Sequence, residues 1–148
     1  MSRADLVRQV HAAIAGGDYD TFAQLLDPDV RWHAGSPQDG CQNRKQALAW
    51  VRRAGRSGQP LPAIVDVVEA GDHLVVVLEP PASAEEPDPP RTANLTTIRD
   101  GLVTETVHYD TAEAALAALA ALGGRSLAAS SASASEPPIA SSGTAGSR

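Results

Sequence analysis

The sequence predicts an α+β domain in which a curved antiparallel sheet packs against helices on one face. Three observations lead there: helical patterns dominate the first half of the chain, four strand patterns follow in two hairpins from residue 63, and one further strand pattern sits between the second and third helices. The 148 residues, 43% hydrophobic and 20% charged, match one ordinary domain with a sizeable core and exclude a two-domain enzyme. The expected folded unit is 1–123, followed by a tail over 124–148.

Ser2 with Asp5 three residues on forms a capping-box pattern, after which Leu6, Val10, Ala13 and Ile14 recur at helical spacing until Gly16-Gly17 ends the first helix. Asp18 and Asp20 bracket Tyr19 at the start of a short second helix with Phe22, Leu25 and Leu26 on its apolar side, ended by Asp27-Pro28. Val30, Trp32 and Ala34 then alternate with Arg31 and His33, the period-two mark of a strand buried on one side, which runs out at Gly35-Ser36-Pro37. Asn43 can cap a third helix that packs through Ala47, Leu48, Val51 and Ala54, carries Trp50 at the border, and closes at Gly55 and Gly58.

Strands are expected over 63–69 and 73–79, around a Gly71-Asp72 turn. The second carries an unbroken apolar run from 74 to 78, so the hairpin reads as buried on both faces. Residues 80–90 hold five prolines and three acids, which suit a flexible acidic loop rather than a ladder. Strands at Thr92–Arg99 and Leu102–Tyr109 meet at Asp100-Gly101, a short hairpin signal. A last helix over 111–122 ends at Gly123-Gly124, and the Ser, Ala and Gly-rich remainder with Pro137-Pro138 is expected to be disordered.

The net charge of −6 works against nonspecific binding of nucleic acid or anionic membrane. The one basic concentration, Arg44, Lys45, Arg52, Arg53 and Arg56, spreads around the third helix and reads as a solvated face. No run approaches the ~18 apolar residues of a membrane span, and the N-terminal residues show no secretory pattern. Cys41 stands alone, which excludes an internal disulfide or a multi-cysteine zinc site and fits a reducing cytoplasm. The histidines at 11, 33, 73 and 108 lack metal-ligand spacing, so neither metal nor cofactor is expected.

Four segments together resemble a known family: Gly17-Asp18-Tyr19-Asp20, Leu26-Asp27-Pro28-Asp29-Val30-Arg31-Trp32, Asn43-Arg44-Lys45-Gln46-Ala47, and Asp100-Gly101-Leu102-Val103 through Asp110. In order and spacing they are similar to the nuclear transport factor 2-like superfamily, in its SnoaL-like, polyketide cyclase-like branch, over about residues 4–123. The resemblance implies a cystatin-like α+β barrel, a cone whose sheet wraps around a pocket between sheet and helices. It also implies a homodimer through the sheet's outer face and a small, largely apolar organic ligand. Members use the pocket for isomerisation, dehydration, aldol cyclisation, epoxide opening or binding alone, so the residues must choose the reaction.

The resemblance places Ala34 where steroid isomerases carry their carboxylate base and Val10 where they carry a tyrosine donor, and neither side chain can serve. Asn94 falls near the second aspartate of those enzymes and can donate a hydrogen bond. No Arg-x-Asp of the epoxide hydrolase kind lies on the predicted strands. Asp110 falls on the acid/base position of the cyclases, and period two sets His108, Thr106 and Thr104 on its strand face. The candidate catalytic residues are therefore Asp110 and His108, and the candidate ligand-binding residues Trp32, Trp50, Asn94 and Tyr109.

Simpler readings stand beside these. Asp110 with Glu113 is also a capping box, and the threonines with His108 also suit a solvent side. Val103, Val107 and Tyr109 share the opposite face, with Glu105 an oddity among them, and the sequence leaves open which face is concave. His33 reads as a surface or interface residue, and Asp66 as either solvent-facing or a buried carboxylate. Two functions follow: a pocket protein that binds a small, largely apolar organic molecule, with the reaction unassigned, or, alternatively, a polyketide cyclase-like or isomerase/dehydratase-like enzyme using Asp110 as acid/base.

Overall fold

The computed structural model describes residues 2–35, 37–58 and 60–131, with backbone alone at Pro37 and over 123–131. The chain runs α1 (Arg3–Ala15), α2 (Tyr19–Gln24), β1 (Leu26–Ala34), a 3-10 turn (Pro37–Asp39), α3 (Arg44–Arg56), β2 (Ala63–Ala70), β3 (His73–Glu79), β4 (Thr92–Arg99), β5 (Leu102–Tyr109) and α4 (Ala112–Ser131). The expected α+β architecture is present, and its five-strand sheet is curved and unclosed, in the order β1-β5-β4-β3-β2.

Local chemistry sets the helix starts. Ser2 Oγ accepts from the Asp5 N–H at 3.0 Å, Asp18 Oδ1 from Thr21 at 3.3 Å and Asn43 Oδ1 from Gln46 at 2.9 Å, so each satisfies a backbone donor that the helix leaves free. For α4 the cap is Thr111, whose Oγ1 accepts from Ala114 N–H at 3.1 Å; the Asp110–Glu113 capping box is not formed. Gly123-Gly124 does not end α4, which continues to Ser131. Two glycines cost a helix about 1 kcal/mol each, and the Ala-rich flanks offset that. The expected tail therefore begins inside a helix, and its residues 132–148 lie outside the described residues.

β1 starts at Leu26, earlier than the expected Val30, and takes in Asp27-Pro28. Proline has no N–H for a ladder, but β1 is an edge strand and can carry it. β1 pairs in parallel with β5, so the sheet is mixed; the remaining pairs are antiparallel. Asp100 and Gly101 both take positive φ, 55° and 76°, as the right-handed twist of a two-residue hairpin requires. Three ladders carry a register shift: Val65 is extra in β2, Thr104 is extra in β5, and β1 breaks register against β5 between Leu26 and Arg31.

Side chains sort into two layers. On one face Val30, Leu74, Val76, Leu78, Ile98 and Val103 pack with Leu6, Val7, Val10, Phe22, Ala47 and Val51 of the first three helices. On the other, Val75, Val77, Ala93 and Leu95 pack with Ala115 and Leu119 of α4. This corrects the expectation that the helices keep to one face: every side chain from 74 to 78 is buried, so both faces of β3 need cover. The β2–β3 hairpin is not buried throughout, because β2 is the other edge and Val65, Asp66 and Glu69 are exposed.

Outside the core, Arg3 donates to Asp72 Oδ1 at 2.7 Å, and Arg99 approaches Asp72 Oδ2 at 3.5 Å, joining α1 to both hairpin turns. Among the described residues, no helix is long and apolar enough to cross a membrane. Phe22 is fully buried between α2 and the sheet. Phe22→Ala is expected to lower stability by about 3–5 kcal/mol through lost burial and the cavity left behind, read as the shift of a urea unfolding midpoint at unchanged slope.

Candidate functional site

Strand register determines which polar side chains look toward α1–α3. Trp32 pairs with Thr106 and Thr106 with Thr96, giving one row across β1, β5 and β4. The next row is Ala34, His108, Asn94 and Val76. Val76 belongs to the core with α1–α3, so His108, Asn94, Thr96, Thr106 and Trp32 share the helix-facing side of the sheet. The face left open by period two alone is settled for His108 and Thr106.

Within this row, His108 Nδ1 lies 2.9 Å from Asn94 Oδ1. On the other side of the ring, Nε2 is 3.8 Å from Asp110 Oδ1, an ion-pair distance beyond hydrogen-bond range. Exposure rises sharply over two residues, from 38% for the His108 side chain to 100% for that of Asp110. Asp110 thus stands in water at the rim while His108 is half-sheltered. One row inward, the buried hydroxyls of Thr96 and Thr106 are 3.4 Å apart.

An aromatic series leads from the core to the surface on the same side. The rings of Phe22 and Trp32 are 5.9 Å apart and tilted by 56°, and those of Trp32 and Trp50 are 6.1 Å apart at 47°. Such tilted contacts suit the ring quadrupoles. Phe22 is fully buried and Trp50 is 45% exposed, so the series ends on a large apolar surface open to solvent. Trp32 is also clamped through its backbone: its N–H donates to Cys41 O at 3.0 Å, and Cys41 N–H donates back at 2.8 Å. Gly40 makes that return possible, because a Cβ there would run into the Trp32 carbonyl and His33.

Tyr109 does not join this cluster. It pairs with Ala93 and packs in the layer beneath α4. Val103, grouped with Tyr109 by alternation, lies on the helix side instead, because the extra residue Thr104 reverses the phase of the strand. Asp66 is exposed, with its Oδ1 accepting from Val67 N–H at 2.9 Å.

His33 is not a surface residue. It is 7% exposed on the outer face, with Nε2 2.9 Å from Glu105 Oε2 and Nδ1 3.2 Å from Gly35 O. Glu105, the oddity in its strand, is thereby explained as the partner of a buried ring. The reciprocal oddity, a charged residue interrupting the apolar side of β5 opposite the Arg31-x-His33 alternation, was the available signal.

Elsewhere, a groove of about 340 Å³ opens between Leu61, Ala63 and the proline loop at Pro80, Pro81, Pro87 and Pro89. It shares no lining residue with the His108 row. Among the described residues, no group of three or more His, Cys, Asp or Glu side chains is placed to hold a metal ion.

A family model for the SnoaL-like domain matches residues 7–106, about two thirds of the 148-residue chain. No curated protein matches the sequence. Solved structures that resemble the chain include a cystatin-like-fold protein of unknown function from Xanthomonas campestris, at 22% identity and TM-score 0.61, covering 74% of this chain and 90% of that one. A Sinorhizobium meliloti protein assigned as a polyketide cyclase matches at 19% identity and TM-score 0.59, over 70% of this chain and 93% of that one. A Kribbella flavida protein assigned as a ketosteroid isomerase matches at 20% identity and TM-score 0.52, over 70% and 73%. At these identities the likeness establishes the fold.

Two outcomes follow from the side chains around the candidate site. Burial pushes the Cys41 thiol up, and the Arg53 charge only partly opposes it. Less thiolate is then present at a given pH, so iodoacetamide at pH 8 should alkylate Cys41 more slowly than free glutathione, and more slowly still in Arg53→Ala, as followed by mass spectrometry. Glu105→Ala leaves the His33 Nε2 without its partner in a buried position and should cost about 1–3 kcal/mol in urea unfolding.

Proposed function

Because this chain belongs to the SnoaL-like domain family, we propose that the helix-facing side of its sheet binds a small, largely apolar organic molecule. Trp32 and Trp50 supply the apolar walls, and Asn94 and His108 the orienting polar contacts. The observation that carries this reading is that Trp32, in ring contact with the half-exposed Trp50, stands one row from the hydrogen-bonded Asn94–His108 pair on the helix-facing side of the sheet. Ligand sites combine apolar walls with a few convergent polar groups in this way. Tyr109 has no part in it, since it packs under α4.

A second reading, acid/base catalysis of the cyclase or isomerase/dehydratase type, is favoured by one contact, the 3.8 Å approach of Asp110 to His108 Nε2. An aldol closure needs a base to take a proton α to a carbonyl and an acid to return one to the new alkoxide. Asp110 can serve only if a bound molecule covers its carboxylate, which is fully exposed in the free chain. Steroid-isomerase chemistry is not part of this proposal, because Ala34 stands beside His108 in the row and carries no carboxylate.

The assembly that goes with the fold is a homodimer through the sheet's outer face, in a cytoplasmic setting that keeps Cys41 reduced. On that face α4 already covers Val75, Val77, Ala93 and Leu95, so a second copy would meet α4 and the Arg31, His33 and Glu105 strip. Sedimentation should return twice the 15.3 kDa chain mass if the dimer forms.

The binding reading is tested by a thermal-shift screen against aromatic polyketide, steroid-like and terpenoid compounds, repeated with Trp50→Ala and Asp110→Asn. A ligand at a hundredfold excess over its Kd stabilises the fold by about 2.7 kcal/mol. Trp50→Ala should weaken that shift. Asp110→Asn should preserve it if the residue is catalytic only. A screen without any shift, or shifts indifferent to Trp50→Ala, would overturn the assignment.

A further inference from the structure

The ring of His108 is held at one nitrogen only. Nδ1 lies 2.9 Å from Asn94 Oδ1, a good hydrogen-bond length, whereas Nε2 has Asp110 Oδ1 at 3.8 Å, too far to bond. An amide oxygen can only accept, so the proton between the two belongs to His108 Nδ1. A neutral imidazole carries one N–H, and the bond at one nitrogen decides the state of the other. We propose that Asn94 is a positioning residue: it pins the His108 proton on Nδ1, so that Nε2 presents a lone pair to the bound molecule and selects ligands that offer a hydroxyl donor, a phenol or an enol. This rests on the binding reading above and adds a ligand chemistry to it.

Register supports the assignment independently of the side-chain distance. The β4–β5 ladder begins with Arg99 opposite Leu102, and without interruption it would set Asn94 opposite Val107. The extra residue Thr104 shifts the ladder by one and puts Asn94 opposite His108. The Asp110 carboxylate draws a proton toward Nε2, so the Asn94 bond at Nδ1, at 2.9 Å against 3.8 Å, is what holds the proton on the other nitrogen. That carboxylate is a second acceptor beside Nε2, so a hydroxyl entering there meets two acceptors and no competing donor from either side chain. Ligands that present only carbonyl or ether oxygens would face two lone-pair bearers and gain no hydrogen bond.

The experiment has two arms. In the first, two-bond ¹H–¹⁵N correlation spectra of the uniformly ¹⁵N-labelled chain report the ring tautomers, with His108 assigned by the signals missing in His108→Gln. At a pH where the ring is neutral, His108 should show a protonated Nδ1 and a bare Nε2. Asn94→Leu, which removes the acceptor, should move the population toward Nε2–H, while Asn94→Asp, which keeps an acceptor, should hold it on Nδ1. A wild-type ring protonated on Nε2, or an Asn94→Leu spectrum unchanged from wild type, overturns the positioning role.

In the second arm, 2-naphthol and 2-methoxynaphthalene are titrated against wild type and His108→Leu, which leaves no acceptor at that position. One hydrogen bond corresponds to about three- to tenfold in affinity. The naphthol should bind that much tighter than its ether in wild type, with the preference lost in the variant. Equal binding of the two by wild type overturns the hydroxyl selection while leaving the pocket standing. Binding of neither overturns the pocket reading and the ligand chemistry together, whatever the tautomer.

Discussion

β3 is buried on both sides from residue 74 to 78, and a strand in that position cannot leave either face of its sheet in water. The two-layer arrangement follows from this. Leu74, Val76 and Leu78 require the cover of α1–α3, and Val75 and Val77 require that of α4. Once those layers exist, alternation along β4, and along β5 beyond the Thr104 bulge, assigns every other side chain to one of the two sides. His108 and Asn94 face α1–α3 because their row contains Val76, and Tyr109, partly buried, turns to the α4 side because its row contains Val77.

The parts of the fold legible in the sequence are those governed by short-range chemistry. Ser2, Asp18 and Asn43 cap their helices, and the Asp100-Gly101 turn delimits β4 and β5 at the residues where the strands begin and end. What was not legible depends on tertiary partners. Asp27-Pro28 reads as a helix stop, and only an edge position beside β5 makes it strand. The Ala- and Leu-rich stretch from 112 onward is apolar nearly all round, so its pattern gives no direction in which to pack.

The candidate site divides in the same way. Period two placed His108 with Thr106, but it could not pair His108 with Asn94, because a single bulged residue, Thr104, decides that register. The same bulge carries Val103 across the sheet, against simple alternation. His33 and Glu105 each look misplaced when read along their own strands. Together, across the parallel β1–β5 pair, they form one satisfied contact at 2.9 Å.

The two margins of the sheet bear on the chain's behaviour in a crowded solution. A free strand edge is a template on which other chains can nucleate fibrous stacks. Here β1 offers Pro28 and a broken register between Leu26 and Arg31, and β2 offers the Val65 bulge, followed by the exposed acids Asp66 and Glu69. Neither border presents a long, flat, uncharged row of amides to a neighbour. Lateral growth from molecule to molecule is thus obstructed at both ends, and the open sheet can persist without closing into a ring.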